Sequence, residues 1–356
     1  MYFQHLSDLG WNNYFQSQLT FEQLDTQLPF RVISQHRSQV ECAGLDKNGQ
    51  PIDVALGSHF WRNADTYDRP TVGDWLMLDK QLQPQQLLER KSLLKRKSAG
   101  QTSTLQLIAA NIDTLFIVTS CNEDFSLNRL ERYLSIANES AIHCVAVITK
   151  ADLCSDTSVF VQAIANAHPS LAIETLNATH TDELDSLKQW IGVGQTTALL
   201  GSSGVGKSTI INGLTAASAQ KTGAIRESDS KGRHTTTGRS LHRLSGSGLL
   251  IDTPGMRELQ MVDSEHGIKT TFHEIEILAE NCRFKNCSHT TEPGCAVLQA
   301  VESDELETRL LDNYHKLLSE QARNNESVAE RRSNDRALGR FYKNAQKTSK
   351  KFKSRD

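Results

Sequence analysis

The spacing of apolar side chains changes along the chain, and each change predicts a different element. Leu6, Leu9, Phe15 and Leu19 share an approximate face, which predicts a short helix within residues 6–24. From Phe30 to Ser92 short alternating runs broken by turn residues take over. Arg31–Cys42, Pro51–Leu56, Thr71–Leu78 and Gln86–Lys91 are predicted strands, with Lys47-Asn48-Gly49 as a tight turn between two of them. Several short strands in so compact a stretch predict a small closed barrel, of OB or SH3-like type. Lys91–Gln106, basic and rich in Ser and Thr, reads as a linker.

From Asn111 onward apolar, β-branched runs alternate with helical ones. Thr114–Thr119 and His143–Thr149 are predicted buried strands on either side of a helix, Leu127–Asn138. Thr197–Leu200 is a further strand that runs into a Gly-rich loop and a helix from Lys207, and Leu249–Ile251 is another. Such alternation predicts a parallel sheet covered by helices. After Val262 the pattern is helical, is interrupted by a Cys- and His-rich segment, and is helical again from Ser303. No internal repeat is visible.

Composition changes this picture in three places. A chain of 356 residues with 38% hydrophobic and 23% charged side chains can bury more than one core, which excludes a disordered class. No apolar run reaches the roughly 18 residues needed to cross a bilayer, and Met1-Tyr-Phe-Gln-His-Leu6 lacks the basic start and apolar stretch of a signal peptide. A cytoplasmic protein without membrane contact is expected. Seven cysteines without an export signal argue against a disulfide framework. Cys42, Cys121, Cys144 and Cys154 read as small buried hydrophobes. The net charge of −3 conceals a basic tail, since residues 331–356 alone carry a net of +8. A basic tail on an acidic body predicts a polyanionic partner such as nucleic acid.

Gly201, Ser202, Ser203, Gly204, Val205, Gly206, Lys207, Ser208 and Thr209 match G-x-x-x-x-G-K-S/T in full. Glycines let backbone N–H groups converge on phosphate oxygens at a helix N-terminus. Lys207 would reach the β- and γ-phosphates, and the Ser208 hydroxyl would ligate Mg²⁺. Asp252-Thr-Pro-Gly255 ends an apolar strand, where Asp252 can hold Mg²⁺ through water and the Gly255 N–H can sense the γ-phosphate. Thr149, Lys150, Ala151 and Asp152 end another strand. The Asp152 carboxylate can accept from guanine N1–H and the N2 amine, a pair that adenine does not offer, so the nucleotide read is GTP or GDP.

The order of these segments is unusual. In ordinary GTPases the phosphate loop comes first and the guanine-reading segment comes late, whereas here Thr149–Asp152 precedes Gly201. Either that segment is accidental or the domain is circularly permuted, which costs little when the parental termini meet at the surface.

Cys282-x₄-Cys287-x-His289-x₅-Cys295 supplies three thiolates and one imidazole within fourteen residues. Cys₃His is a closed ligand set for a tetrahedral, structural Zn²⁺. The intervening Arg283, Lys285, Asn286 and Ser288 are too polar to make an apolar core instead.

Val72-Gly-Asp-Trp75, Thr149–Asp152, Gly201–Thr209, Gly232-Arg-His-Thr-Thr-Thr237, Asp252–Gly255 and the cysteine cluster stand in the order found in one family. The chain resembles the circularly permuted ribosome-assembly GTPases of the RsgA (YjeQ) type over most of its length. The resemblance implies a multidomain α/β protein. Residues 1–100 would form an OB-type barrel with a leading helix, 101–264 a permuted phosphate-loop GTPase domain, 265–330 an α-helical zinc-binding domain and 331–356 a basic tail. It implies a monomer that hydrolyses GTP in late maturation of the small (30S) ribosomal subunit, is stimulated by that subunit and touches its rRNA. It also places the Mg²⁺- and γ-phosphate-sensing threonine at Thr236 and a second base-contacting loop at Asn177-Ala-Thr179.

Two departures carry chemical weight. Thr149 stands where the family usually has Asn, and a hydroxyl can bridge base and phosphate loop less fully than an amide. Met256 follows Gly255 where Ras-like enzymes carry a water-orienting Gln. A thioether cannot orient water, so intrinsic hydrolysis is expected to be slow, with His234 as the candidate for that role. Two other readings stay open on the residues alone. One is a nucleic-acid-linked ATPase in which Thr149–Asp152 is accidental, and the other is a non-enzymatic RNA-binding protein whose affinity the nucleotide regulates.

Overall fold

The computed structural model describes residues 3–97, 105–222, 239–244, 248–252 and 261–325. The N-terminal segment is not the single helix expected over 6–24. It is a 3₁₀ turn, Leu6–Leu9, followed by helices α1 (Asn13–Gln16) and α2 (Phe21–Thr26). Local caps divide it. The Asn12 side chain accepts from Tyr14 N at the start of α1, and Thr20 and Gln23 form a reciprocal capping box at the start of α2. The apolar face is still used, because Phe3, Leu9 and Phe15 are buried with Trp75, Met77 and Leu88.

Strands β1 (Gln27–Gln35), β2 (Gln39–Leu45), β3 (Pro51–Gly57), β4 (Trp75–Asp79) and β5 (Pro84–Leu87) follow. The expected strand Arg31–Cys42 is thus two strands, reversed at His36, whose N–H donates to Gln39 O at 2.9 Å. All pairings are antiparallel, in the order β3-β2-β1-β4-β5. Among the described residues β3 and β5 do not pair, so the barrel expected to be closed is partly open, as OB-type barrels are. Phe30, Val32, Val40, Cys42, Leu56, Leu76 and Leu78 form its interior.

Thr71–Asp74, expected to be strand, is a turn in which Thr71 N donates to Asp74 Oδ2 at 2.7 Å. Asp74 in turn accepts a fork of bonds from Arg90 at 2.7 and 2.8 Å. Gly73 sits at φ +91°, and a Cβ there would lie 2.2 Å from Ala110 O, so no other residue fits. The expected linker is also corrected. Leu93–Lys97 is strand β6, paired antiparallel with β7 (Leu105–Ala110). Its basic residues hide the pattern, but Leu94 is buried in the main core.

The second body is a sheet of β8 (Thr114–Ser120), β9 (His143–Thr149), β10 (Ala172–Thr175), β11 (Thr196–Gly201), β12 (Arg239–Arg243) and β13 (Leu249–Asp252). The order β10-β9-β8-β11-β13 is parallel throughout, and β12 runs antiparallel between β13 and β1. Both faces are covered, which is why these strands are nearly continuous apolar runs. Leu115, Ile117, Ala146, Ile148, Ala198 and Leu200 face one core, whereas Phe116, Val118, Val145, Val147 and Leu199 face the other. Helices α3 (Leu127–Glu139) and α4 (Ser158–Ala167) pack on the first face, and α5 (Asp185–Lys188) and α6 (Lys207–Thr222) on the second.

Arg31 joins the two bodies. Fully buried, it donates to Gly73 O at 3.2 Å, to Asn111 O at 3.3 Å and to Thr196 Oγ1 at 2.7 Å. Burial lowers its pKa to about 10, which leaves it charged at neutral pH.

The last body is helical: α7 (Glu265–Thr271), α8 (His273–Ala279), α9 (Ala296–Glu302) and α10 (Thr308–Asn325). Helix resumes at Ala296 rather than at the expected Ser303, because the Cys295 sulfur caps α9 by accepting from Leu298 N at 3.4 Å. Phe272, Ile275, Val297, Leu310, Tyr314 and Leu317 extend the first-face core of the sheet. Among the described residues no helix is long and apolar enough to cross a membrane.

Candidate functional site

Because β8, β9, β10, β11 and β13 are parallel and in register, their carboxyl ends share one edge. Ser120 pairs with Thr149, Thr175 with Ile148 and Gly201 with Val118. The crevice outside that edge is where open α/β sheets bind ligands. It gathers Thr149–Asp152, Gly201–Thr209 and Asp252, which lie far apart in the chain. His234, Thr236, Gly255 and Met256, like the tail 331–356, lie outside the described residues.

The phosphate loop is anchored by Val205, which is buried in the second-face core, while Ser203, Gly204, Ser208 and Thr209 are exposed. Gly206 has φ +97°, a conformation that turns the loop into α6 and that a residue with a Cβ rarely adopts. Lys207 is the first residue of that helix. Its Nζ donates to Gly201 O at 2.7 Å and also to Ser202 O, so it lies along the inside of the loop. Asp252 is half-buried at the end of β13.

Thr149 is fully buried. Its hydroxyl proton faces two acceptors, Val205 O at 2.6 Å and Thr119 O at 3.0 Å. The residue that departs from the family pattern therefore ties the base-side strand directly to the phosphate loop. Lys150 takes the left-handed conformation at φ +58°, a strained geometry for a non-glycine residue of the kind that collects at functional sites. It leads into a 3₁₀ turn, Ala151–Leu153, that holds Asp152 exposed above the edge. Asn177 is buried next to this turn, because Leu176 N donates to Ile148 O at 2.9 Å. Its Oδ1 accepts from Thr179 N at 3.0 Å and Thr179 Oγ1 at 2.7 Å, which closes the second loop upon itself.

One contact escapes sequence reasoning. Arg129, in the first turn of α3, donates from Nη1 to Ser202 Oγ at 2.6 Å. No motif contains it, and the only local sign is the cap Ser126 three residues before it.

The cysteine cluster lies between α8 and α9. Its ligand atoms all fall within 4.8 Å of one another. Cys282 Sγ is 3.8 Å from Cys295 Sγ and 3.6 Å from His289 Nδ1, and His289 Nδ1 is 3.4 Å from Cys295 Sγ. Tetrahedral Zn–S and Zn–N bonds imply edges of about 3.8 Å between sulfurs and about 3.5 Å between sulfur and nitrogen. The residues present thus fit Zn²⁺. Burial opposes a Cys282 thiolate, but the backbone N–H groups of Val297 and Ala296 at the start of α9, together with the thiols of Cys295 and Cys287, outweigh it and lower the pKa.

A parallel sheet with a phosphate loop at one strand end, a base-side loop supplied from earlier in the chain and an aspartate on the next strand defines a phosphate-loop nucleotide hydrolase with a circularly permuted domain. The chain belongs to the RsgA GTPase family, whose model matches residues 87–262. It is therefore a GTP hydrolase, and the ATPase and non-enzymatic readings fall. The chain is 47% identical to "Small ribosomal subunit biogenesis GTPase RsgA 2" of Vibrio parahaemolyticus, over 97% of this chain and 94% of that one. It is 46% identical to "Small ribosomal subunit biogenesis GTPase RsgA" of Mesorhizobium japonicum, over 90% of each. Among solved structures, YjeQ from Thermotoga maritima superposes with a TM-score of 0.60 at 25% identity, over 83% of this chain and 98% of that one. YloQ, described as a circularly permuted GTPase, gives 0.58 at 23% identity, over 85% and 97%.

Proposed function

We propose that this chain hydrolyses GTP in the biogenesis of the small ribosomal subunit, as a cytoplasmic monomer that the subunit stimulates. The observation that carries the reading is the convergence of Thr149–Asp152, Gly201–Thr209 and Asp252 at one sheet edge, in a chain whose relatives bear that function in their names. Residues 1–100 serve as the OB-type module, 101–264 as the GTPase, 265–330 as the zinc module and 331–356 as a basic arm for rRNA phosphates.

In this reading the loop N–H groups from Gly201 to Thr209 and the N-terminus of α6 cradle the phosphates, and Lys207 places its charge on the β- and γ-oxygens. Ser208, Thr236 and Asp252 are hard oxygen donors that suit Mg²⁺, which when bound neutralises charge on the phosphates. Gly255 N–H and Thr236 sense the γ-phosphate, and His234 orients the attacking water in place of the glutamine that Met256 replaces. Asp152 reads guanine. Cys282, Cys287, His289 and Cys295 hold one Zn²⁺, which supplies rigidity rather than chemistry.

The test is GTP turnover with and without purified small subunits. Slow basal turnover that rises at least about tenfold with subunits is expected, since a partner that completes a GTPase site commonly gives much more. Turnover indifferent to subunits would sink the ribosomal role. At the base, Asp152→Asn should exchange GTP preference for xanthosine triphosphate, with GTP affinity falling about a hundredfold or more, because the acceptor pair for N1–H and the N2 amine is lost. Equal competition by ATP and GTP for the unsubstituted protein would refute the guanine assignment.

A further inference from the structure

Ser202, at the entrance of the phosphate loop, is held from two sides. Its carbonyl accepts from Lys207 Nζ, and its hydroxyl accepts from Arg129 Nη1 at 2.6 Å. The two holds differ in permanence. Lys207 must leave the carbonyls of Gly201 and Ser202 to reach phosphate oxygens, whereas Arg129 can keep the Ser202 hydroxyl throughout.

The support behind Arg129 is rigid. Its Nη1 also donates to Asp124 O at 3.3 Å, and its backbone N–H is capped by Ser126 Oγ at 3.4 Å. Further along α3, the fully buried Glu131 accepts from Arg309 Nη1 at 2.8 Å and from Asn313 Nδ2. Asn128 Oδ1 accepts from Arg309 at 2.8 Å, and Arg132 forks onto Glu320, with Nη1 to Oε2 at 2.6 Å. Helix α7 closes in as well, since a Cβ on Gly267 would lie 2.0 Å from Ser135 O. Helix α3 is thus clamped between the sheet and α10, with its first turn against the phosphate loop.

We propose that Arg129 is a positioning residue of the nucleotide site, fixing Ser202 and the loop entrance from a helix that the C-terminal helices hold in place. Its guanidinium reaches Ser202 Oγ and Asp124 O, so its effect passes through the Ser202 hydroxyl. Preorganising the loop in this way raises the rate of the chemical step more than ground-state affinity. The proposal rests on the GTPase reading above.

The experiment measures kcat and KM for GTP with the full-length chain, for the unsubstituted protein, Arg129→Leu, Ser202→Ala, the double variant and Ser202→Thr. Each of the first two changes should lower kcat about tenfold, the scale of one lost hydrogen bond to a charged group, with KM moving less than about threefold. The double variant should fall no further than the worse single one, because both changes remove the same bond. Ser202→Thr keeps a hydroxyl that Arg129 can still reach and should lose less of kcat than Ser202→Ala. Ser202→Ala keeps the test open if Arg129→Leu does not fold. Multiplying losses in the double variant, or an unchanged kcat in Ser202→Ala, would overturn the proposal. A protein without GTP turnover before any substitution would instead overturn the GTPase reading.

Discussion

Lys207→Ala is expected to reduce GTP turnover at least about a hundredfold, the scale seen when one preorganised charge or donor is removed from a reacting centre. The reason is positional. Lys207 opens α6 at the base of the loop, and its ammonium lies on the carbonyls of Gly201 and Ser202, one side chain away from where phosphate oxygens would sit. No other cationic side chain stands within the run Gly201–Thr209. The same geometry predicts that the fold survives. Val205, Ile210 and Leu214 carry the packing of this loop and helix, and Lys207 is outside that core. Phosphate release and a melting curve measured together separate the two effects. A shift of only a few degrees is expected in the second. Turnover retained in Lys207→Ala would place the hydrolytic site elsewhere in the molecule.

The second large effect belongs to the cysteine cluster. Metal analysis should find about one zinc per chain, and Cys287→Ser should lose it, because a serine hydroxyl does not replace a thiolate in a closed tetrahedral site. Hydrogen bonds such as Arg283 N–H to Gly294 O at 3.0 Å and Ser288 N–H to Glu292 Oε1 at 2.9 Å also tie Cys282–Cys295 together, but a metal would join all four ligands at once. Arg283, Lys285, Asn286 and Ser288 between the ligands are polar, and His289 sits at φ +58°, a conformation that needs an external constraint. The loss should spread along α9, whose cap is the Cys295 sulfur, and into Val297 and Ala300, which pack on the core shared with the sheet. The melting transition should therefore fall by about 10 °C or more, and chelator should have the same effect on the unsubstituted protein. A metal-free protein with an unchanged melting curve would refute structural zinc.

The permuted GTPase domain could be read before any fold was known because its motifs are written in short contiguous runs. A phosphate loop needs its glycines, lysine and serine next to one another, and a strand buried on both faces needs an unbroken apolar run just before them. Thr149–Asp152, Gly201–Thr209 and Asp252 each follow such a run. A parallel sheet then leaves no choice but to bring their ends to one edge. The cluster Cys282 to Cys295 was legible for the same reason, since four side chains able to hold one small metal ion lie within fourteen residues of chain.

What failed to show in the sequence depended on partners far away. The split of residues 6–24 is the exception: its caps at Asn12 and Thr20 are local, but the apolar periodicity that suggests one helix masks them, and only burial against Trp75 and Leu88 is distant. Strand β6 hides among lysines because its partner, Leu105–Ala110, lies beyond a segment that reads as linker. The buried charge of Arg31 is satisfied by Thr196, 165 positions away, and Arg129 meets Ser202 across 73. By itself, then, the sequence determined the nucleotide chemistry, the order of its motifs and the Cys and His cluster that could hold a metal, all of which need only neighbours. Only the tertiary structure decided where strands begin and end and which side chains brace the phosphate loop, because a strand pairing or a hydrogen-bond partner contributed by distant chain leaves no local pattern.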